Sequence, residues 1–217
     1  MFCGPITNPV VFTIHNTGNK NSSSARDDAL NYYNNSWKKS TPQNPGVIVH
    51  FSVDENNVYQ HLPLNVHGWH ASDGGNGEGN RRTIAIEIAR DYDYNSDRYA
   101  KAEILTMKLI AYLVNDFGIP FKLTRHHDYD PYKQLCPHRM FEAKPNTWEQ
   151  FVNKTRGYVN GEPVKPTPTP TPKPTPTPSG NKATSYQKPK GTYAQKGLFT
   201  NLTRYKFSIQ MRQYVPN

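Results

Sequence analysis

The chain has 217 residues, 26 Lys and Arg against 17 Asp and Glu, a formal net charge of +9 and a pI near 9.4. With 35% hydrophobic residues and no run of about 18 apolar residues, the composition excludes a membrane-spanning chain. Two cysteines exclude a disulfide framework, and the opening Met1-Phe2-Cys3-Gly4-Pro5 has neither the basic nor the apolar stretch of a secretory signal.

In chain order, Val10–Asn16 (VVFTIHN) reads as a β-strand, and Ser24 caps a helix running from about Ala25 to Trp37. Val47–Val53, a turn at Asn56-Asn57 and Val58–His61 read as a hairpin. Thr83–Ala89 (TIAIEIA) is a strand that alternates through Ile84, Ile86 and Ile88. A long helix spans about Arg98 to Phe117, where Ile110, Leu113, Val114 and Phe117 keep helical spacing. Gly118 ends it, with Pro120 beyond. Phe121–Arg125 is a short strand, and Thr147 caps a last helix over Trp148–Arg156. Strands interleaved with helices predict an α/β layer structure around a mixed central β-sheet flanked by helices.

The charge is unevenly distributed. Residues 161–217 hold nine Lys or Arg and one acidic residue, Glu162, which leaves the first 160 residues at +1 with all eight histidines. Between them, residues 163–178 (PVKPTPTPTPKPTPTP) contain eight prolines. Alternating Thr-Pro removes backbone donors and fixes φ, giving an extended spacer of about 3.1 Å per residue. The predicted organisation is a folded domain over 1–160, a linker over 161–180 and a basic, aromatic tail over 181–217. The tail is shorter than the about 40 residues that usually fold unaided.

Three residues at element ends suggest chemistry. His15 ends a strand in TIHNTG, His126 follows a short strand in LTRHHD, and Cys136 precedes Pro137 in a loop. Imidazole and thiolate are donors that Zn²⁺ prefers, and two His plus one Cys leave a fourth tetrahedral position open, as in catalytic sites. Residue types alone leave the bland alternative standing: strand-end histidines are often merely hydrogen-bonded, and a lone Cys is often a small core residue.

TIHNTG, the His-Phe pair of VHFSVD, PLNVHGWHASDG, IAIEIA and RHHDYDPYKQLCPHR stand in the order found in one family. The set resembles the zinc-dependent N-acetylmuramoyl-L-alanine amidases, whose type-2 amidase fold is shared with phage lysozyme-like amidases and peptidoglycan recognition proteins. The resemblance covers roughly residues 5–155. It implies a zinc ion held by His15, His126 and Cys136, with His127 competing for the second place. His126 is preferred because the family sets its ligand directly at the strand end. It also implies that Glu87, otherwise readable as the outward member of an alternating strand, is the general base. Two positions depart from the family pattern. Val49 stands where many relatives have a tyrosine, and Lys133-Gln134-Leu135-Cys136 has one residue more than the usual spacing between lysine and ligand. Lys133 is thus a candidate for oxyanion stabilisation, and His70 is a candidate to replace the missing donor. Trp69 and His70 can alternatively line the groove.

The resemblance implies hydrolysis of the amide between N-acetylmuramic acid and L-alanine in peptidoglycan, by an endolysin made in the host cytoplasm and acting on the wall after release. A non-catalytic peptidoglycan-binding module on the same fold is the alternative, and a Cys–His hydrolase using Cys136 or Cys3 is a third. The expected partners are peptidoglycan and, through the tail, anionic wall polymers, with no nucleic acid and no membrane insertion. In the tail, SYQKPKGTYAQ faintly resembles the opening of bacterial Src-homology-3-like wall-binding repeats. A disordered basic peptide is the competing reading.

Overall fold

The computed structural model describes residues 5–6, 11–18, 24–37, 46–142, 147–161 and 211–213. Cys3, the Thr-Pro linker and nearly all of the tail lie outside these. Strands β1 (Val11–Asn16), β2 (Phe51–Val53), β3 (Val58–Gln60), β4 (Thr83–Ile88), β5 (Leu123–Arg125) and β6 (Met211–Gln213) form one sheet in the order β5-β1-β4-β2-β3-β6. Among the described strands the β2–β3 hairpin is antiparallel and the other strand pairings are parallel, so the sheet is mixed. The helices are α1 (Ala25–Asn31), α2 (Glu78–Arg82), α3 (Arg98–Phe117), α4 (His126–Tyr129), α5 (His138–Glu142) and α6 (Thr147–Val159). This is the α/β architecture that the alternating pattern predicts.

Side chains alternate between the two faces of a strand, and here the alternation separates core from chemistry. In register, Phe12 pairs with Ile84, Ile14 with Ile86, and Ile86 with Phe51. These residues share one face and join Leu109, Ile110 and Leu113 of α3 and Phe151 of α6 in the main core. Fully burying each such side chain contributes about 1.5–3 kcal/mol. The residues between them point the other way: Thr13 pairs with Ala85, His15 with Glu87, and Glu87 with Ser52. The second face of the sheet thus carries the polar residues.

Three local features differ from the predicted elements. The predicted helix over 25–37 continues beyond α1 as a π-helical segment, Tyr32–Trp37. The predicted strand over 47–53 is split, because the Ala85 N–H donates to the ring Nδ1 of His50 at 3.0 Å instead of to a backbone carbonyl. Upstream of that break, Ile48 pairs antiparallel with Trp69. Helices α2, α4 and α5 are additional, and with four or five residues each they are too short to show periodicity. At the end of α3, Gly118 adopts the left-handed conformation at φ 67°, with its N–H on the Val114 carbonyl at 3.1 Å.

Candidate metal centre and active site

His15 lies near the end of β1 and is 2% exposed. Asn16, beside it, fixes the strand end: its Nδ2 donates to the Ile88 carbonyl at 3.2 Å, and its Oδ1 accepts the Arg139 N–H at 2.8 Å. Its backbone N–H donates to the Cys136 Sγ at 3.4 Å, tying the two ends of the site together. Cys136 reaches this point because the fully buried Asp130 folds the preceding loop. One Asp130 oxygen accepts the Tyr132 N–H at 2.9 Å and the other the Gln134 N–H at 3.2 Å. His126 opens α4 at the end of β5, where Asp128 receives the Arg125 N–H at 2.8 Å and pairs with its guanidinium at 2.7 Å.

The structure brings His15, His126 and Cys136 together, with donor atoms within 4.8 Å of one another. The His15 Nδ1 lies 4.0 Å from the Cys136 Sγ, and the His15 and His126 ring centroids are 4.6 Å apart. Zinc–ligand distances of about 2.0–2.3 Å place tetrahedral donors about 3.3–3.8 Å apart, so a small inward movement fits this set to the ion. The chemistry also fits, with two neutral imidazoles and a thiol. Burial, then His70 and His126, hold the His15 pKa well below its usual range, and burial lowers that of His126. Burial first, and then the Glu87 carboxylate, push the Cys136 thiol well up. His127 is engaged elsewhere: its Nδ1–H donates to the Gln134 carbonyl at 2.9 Å and its backbone N–H to the Cys136 carbonyl at 3.0 Å.

Glu87 stands beside His15 on the polar face and is 9% exposed, so it is not the solvent-facing member of its strand. Burial raises its pKa to about 7, against the opposing effect of the Tyr32 hydroxyl, which donates to Oε1 at 3.0 Å. Oε2 has no hydrogen-bond partner among the described residues. Asp28 of α1 is also buried, and burial followed by Glu87 raises its pKa to about 8. Lys133 is exposed in a left-handed conformation at φ 54°, with Nζ donating to the His127 and Asp128 carbonyls at 3.4 and 3.5 Å. His70 is buried, and its two ring nitrogens face His15 Nε2 at 3.1 Å and Thr83 Oγ1 at 3.4 Å. Val49 is buried as well.

Several residues that shape the site are missing from the sequence reading. Tyr32 lies one helical turn after Asp28 and faces the sheet with it, a spacing that was available as a signal. Ser72 approaches the His126 Nε2 at 3.2 Å, and Asn80 accepts the His70 and Ala71 N–H groups at 2.6 and 2.8 Å. Ser72 acts from a loop and Asn80 from the five-residue α2, and neither leaves a periodic trace. His50, in the His-Phe pair, is structural: its Nε2–H donates to the Val66 carbonyl at 2.9 Å.

Residues 6–139 match the family model described as N-acetylmuramoyl-L-alanine amidase. The N-acetylmuramoyl-L-alanine amidase CwlA of a Bacillus species is 33% identical over 169 residues, which is 77% of this chain and 62% of CwlA. The CwlA of Bacillus subtilis strain 168 is 32% identical over 85% of this chain and 63% of its own length. The chain thus spans less than two thirds of these curated relatives. Among solved structures, PlyL superposes with a TM-score of 0.59 at 29% identity, covering 71% of this chain and 87% of PlyL. Sequence and fold agree, and the chain belongs to the N-acetylmuramoyl-L-alanine amidase family.

Proposed function

We propose that this chain hydrolyses the amide between N-acetylmuramic acid and L-alanine in peptidoglycan, using a zinc ion held by His15, His126 and Cys136, and that it lyses bacterial walls as an endolysin. The observation that carries this reading is the convergence of two imidazoles and a thiol within 4.8 Å, next to the buried Glu87, inside the family-matched segment. Zinc, when bound, supplies Lewis acidity that polarises the scissile carbonyl and acidifies water. Glu87 takes the proton of the attacking water and delivers it to the leaving amine. A carboxyl with a pKa near 7 suits both transfers at neutral pH. The Tyr32 hydroxyl holds Oε1 in place and leaves Oε2 for the water. His70 has both ring nitrogens engaged, so the developing negative charge is assigned to Lys133, on its exposed loop.

The raised Cys136 pKa argues against the nucleophilic thiol, which requires a stabilised thiolate. As a metal ligand, Cys136 would give up its thiol proton, and the ion's charge would stabilise the thiolate. The tail, with seven cations and no acidic residue over 181–217, holds the enzyme on anionic wall polymers, which the chain reaches after synthesis in the host cytoplasm and release. No helix among the described residues is long and apolar enough to cross a membrane.

Removing metal with a chelator should abolish lysis of isolated walls, and added zinc should restore it. New L-alanine amino termini should appear in the digest in step with lysis. Full activity in zinc-free protein, or wall binding without new termini, would overturn the reading.

A further inference from the structure

Resting on the zinc reading above, we infer that His70 is a positioning residue which, with Thr83, fixes the tautomer of His15 and so presents the His15 Nδ1 lone pair to the metal. The direction of every hydrogen bond in the chain follows from its far end. A carbonyl can only accept, and the Gly79 carbonyl lies 2.7 Å from the Thr83 hydroxyl, which therefore donates its single hydrogen there. With that hydrogen committed, Thr83 Oγ1 can only accept. It receives the Thr13 hydroxyl at 2.7 Å and the His70 Nε2–H at 3.4 Å. A neutral imidazole carries one hydrogen, so the His70 Nδ1 is a bare acceptor. The His15 Nε2, 3.1 Å away, must then be the protonated nitrogen. What remains on His15 is the Nδ1 lone pair, on the side of Cys136 Sγ at 4.0 Å.

The His70 ring is held rigidly enough to perform this role. Its backbone N–H and that of Ala71 share the Asn80 Oδ1 at 2.6 and 2.8 Å. The ring meets His15 edge-on, with centroids 5.1 Å apart and an interplanar angle of 85°. Gly68 permits the approach, because a Cβ there would lie 2.8 Å from the Ile48 carbonyl oxygen and 2.9 Å from the His70 Cδ2. Thr13, His15 and Thr83 all lie on the polar face, so two adjacent strands supply the two groups between which the His70 ring is held.

The test combines zinc affinity, by competition with a chromogenic chelator, and long-range ¹H–¹⁵N spectra of the histidine rings in metal-free protein. In the wild type, His15 should carry its proton on Nε2 as a single tautomer. His70→Phe removes the acceptor and should give mixed tautomers, with zinc binding about 10–100-fold weaker. His70→Asn keeps a carbonyl where Nδ1 stood and should recover most of the affinity. Thr83→Val should weaken binding, while Thr83→Ser should not, and this pair carries the same test if His70→Phe does not fold. A wild-type His15 protonated on Nδ1, or wild-type zinc affinity in both His70→Phe and Thr83→Val, would overturn the inference. A wild type that binds no zinc would overturn the metal reading instead, and its metal-free His15 spectrum would still decide the tautomer.

Discussion

Glu87 has one oxygen on the Tyr32 hydroxyl and a second with no partner among the described residues, a costly arrangement for a buried carboxylate. A residue kept only for stability would be better as an amide. Glu87→Gln should therefore keep the fold and the zinc content while lowering turnover of peptidoglycan by about 10²–10⁴-fold. Turnover within threefold of wild type would remove Glu87 from the proton-transfer role. Asp28 makes a separate prediction about stability. Its pKa is about 8 in the folded protein against 3.8 for the free side chain, because burial and Glu87 disfavour its charge. The folded chain thus holds a proton that the unfolded chain has released, and stability should fall as pH rises from about 4 to about 8. At about 1.4 kcal/mol per pKa unit, the whole interval is worth at most about 6 kcal/mol. Asp28→Asn should flatten this decline in urea denaturation at pH 5 and pH 8. An unchanged slope would place its source elsewhere. His15, His126 and Cys136 were legible as candidate donors because residue type and motif order persist in sequence. The Tyr32–Glu87 bond and the engagement of both His70 nitrogens were not, since they depend on how the π-helical turn after α1 and the 66–77 loop cover the sheet.

Among the elements, those with long, unbroken periodicity were the most legible. The β4 strand starts where TIAIEIA begins, and α3 runs over Arg98–Phe117 as its apolar spacing and Gly118 indicate. Gly118 stands at φ 67°, where a side chain's Cβ crowds the backbone. Gly118→Ala should destabilise the protein by about 1–2 kcal/mol, read as a lower urea midpoint with unchanged slope and zinc content. No loss of stability would show that the α3 end relaxes out of that conformation. The strand over 47–53 misled because its β-rich composition runs through while its hydrogen bonding does not: the His50 ring occupies a position in the ladder that a backbone carbonyl would otherwise hold. Ile48 and Val49 remain buried, so their burial is real but belongs to a different pairing.

Across the whole molecule, a domain carrying +1 is joined through a Thr-Pro spacer to a segment carrying +7, and the backbone of Met211–Gln213 in that segment pairs with β3 at the sheet edge. If the tail serves attachment and the front domain serves chemistry, charge and turnover should separate. Changing Lys182, Lys188, Lys190, Lys196 and Lys206 to Gln should lower lysis of intact cells several-fold and flatten its salt dependence, leaving turnover of soluble muropeptides unchanged. Equal losses on both substrates would count against attachment. The two-faced alternation of β1 against β4 has a consequence for folding quality. Were β1 to slip by one residue, Ile14 would exchange places with His15, sending an imidazole into the apolar core and an isoleucine toward Cys136. The same register that closes the core also aligns the donors, so a misregistered molecule loses its metal together with its packing. Under the zinc reading, metal uptake then works as a proofreading signal, and zinc stoichiometry in a preparation counts the molecules whose strands are correctly aligned.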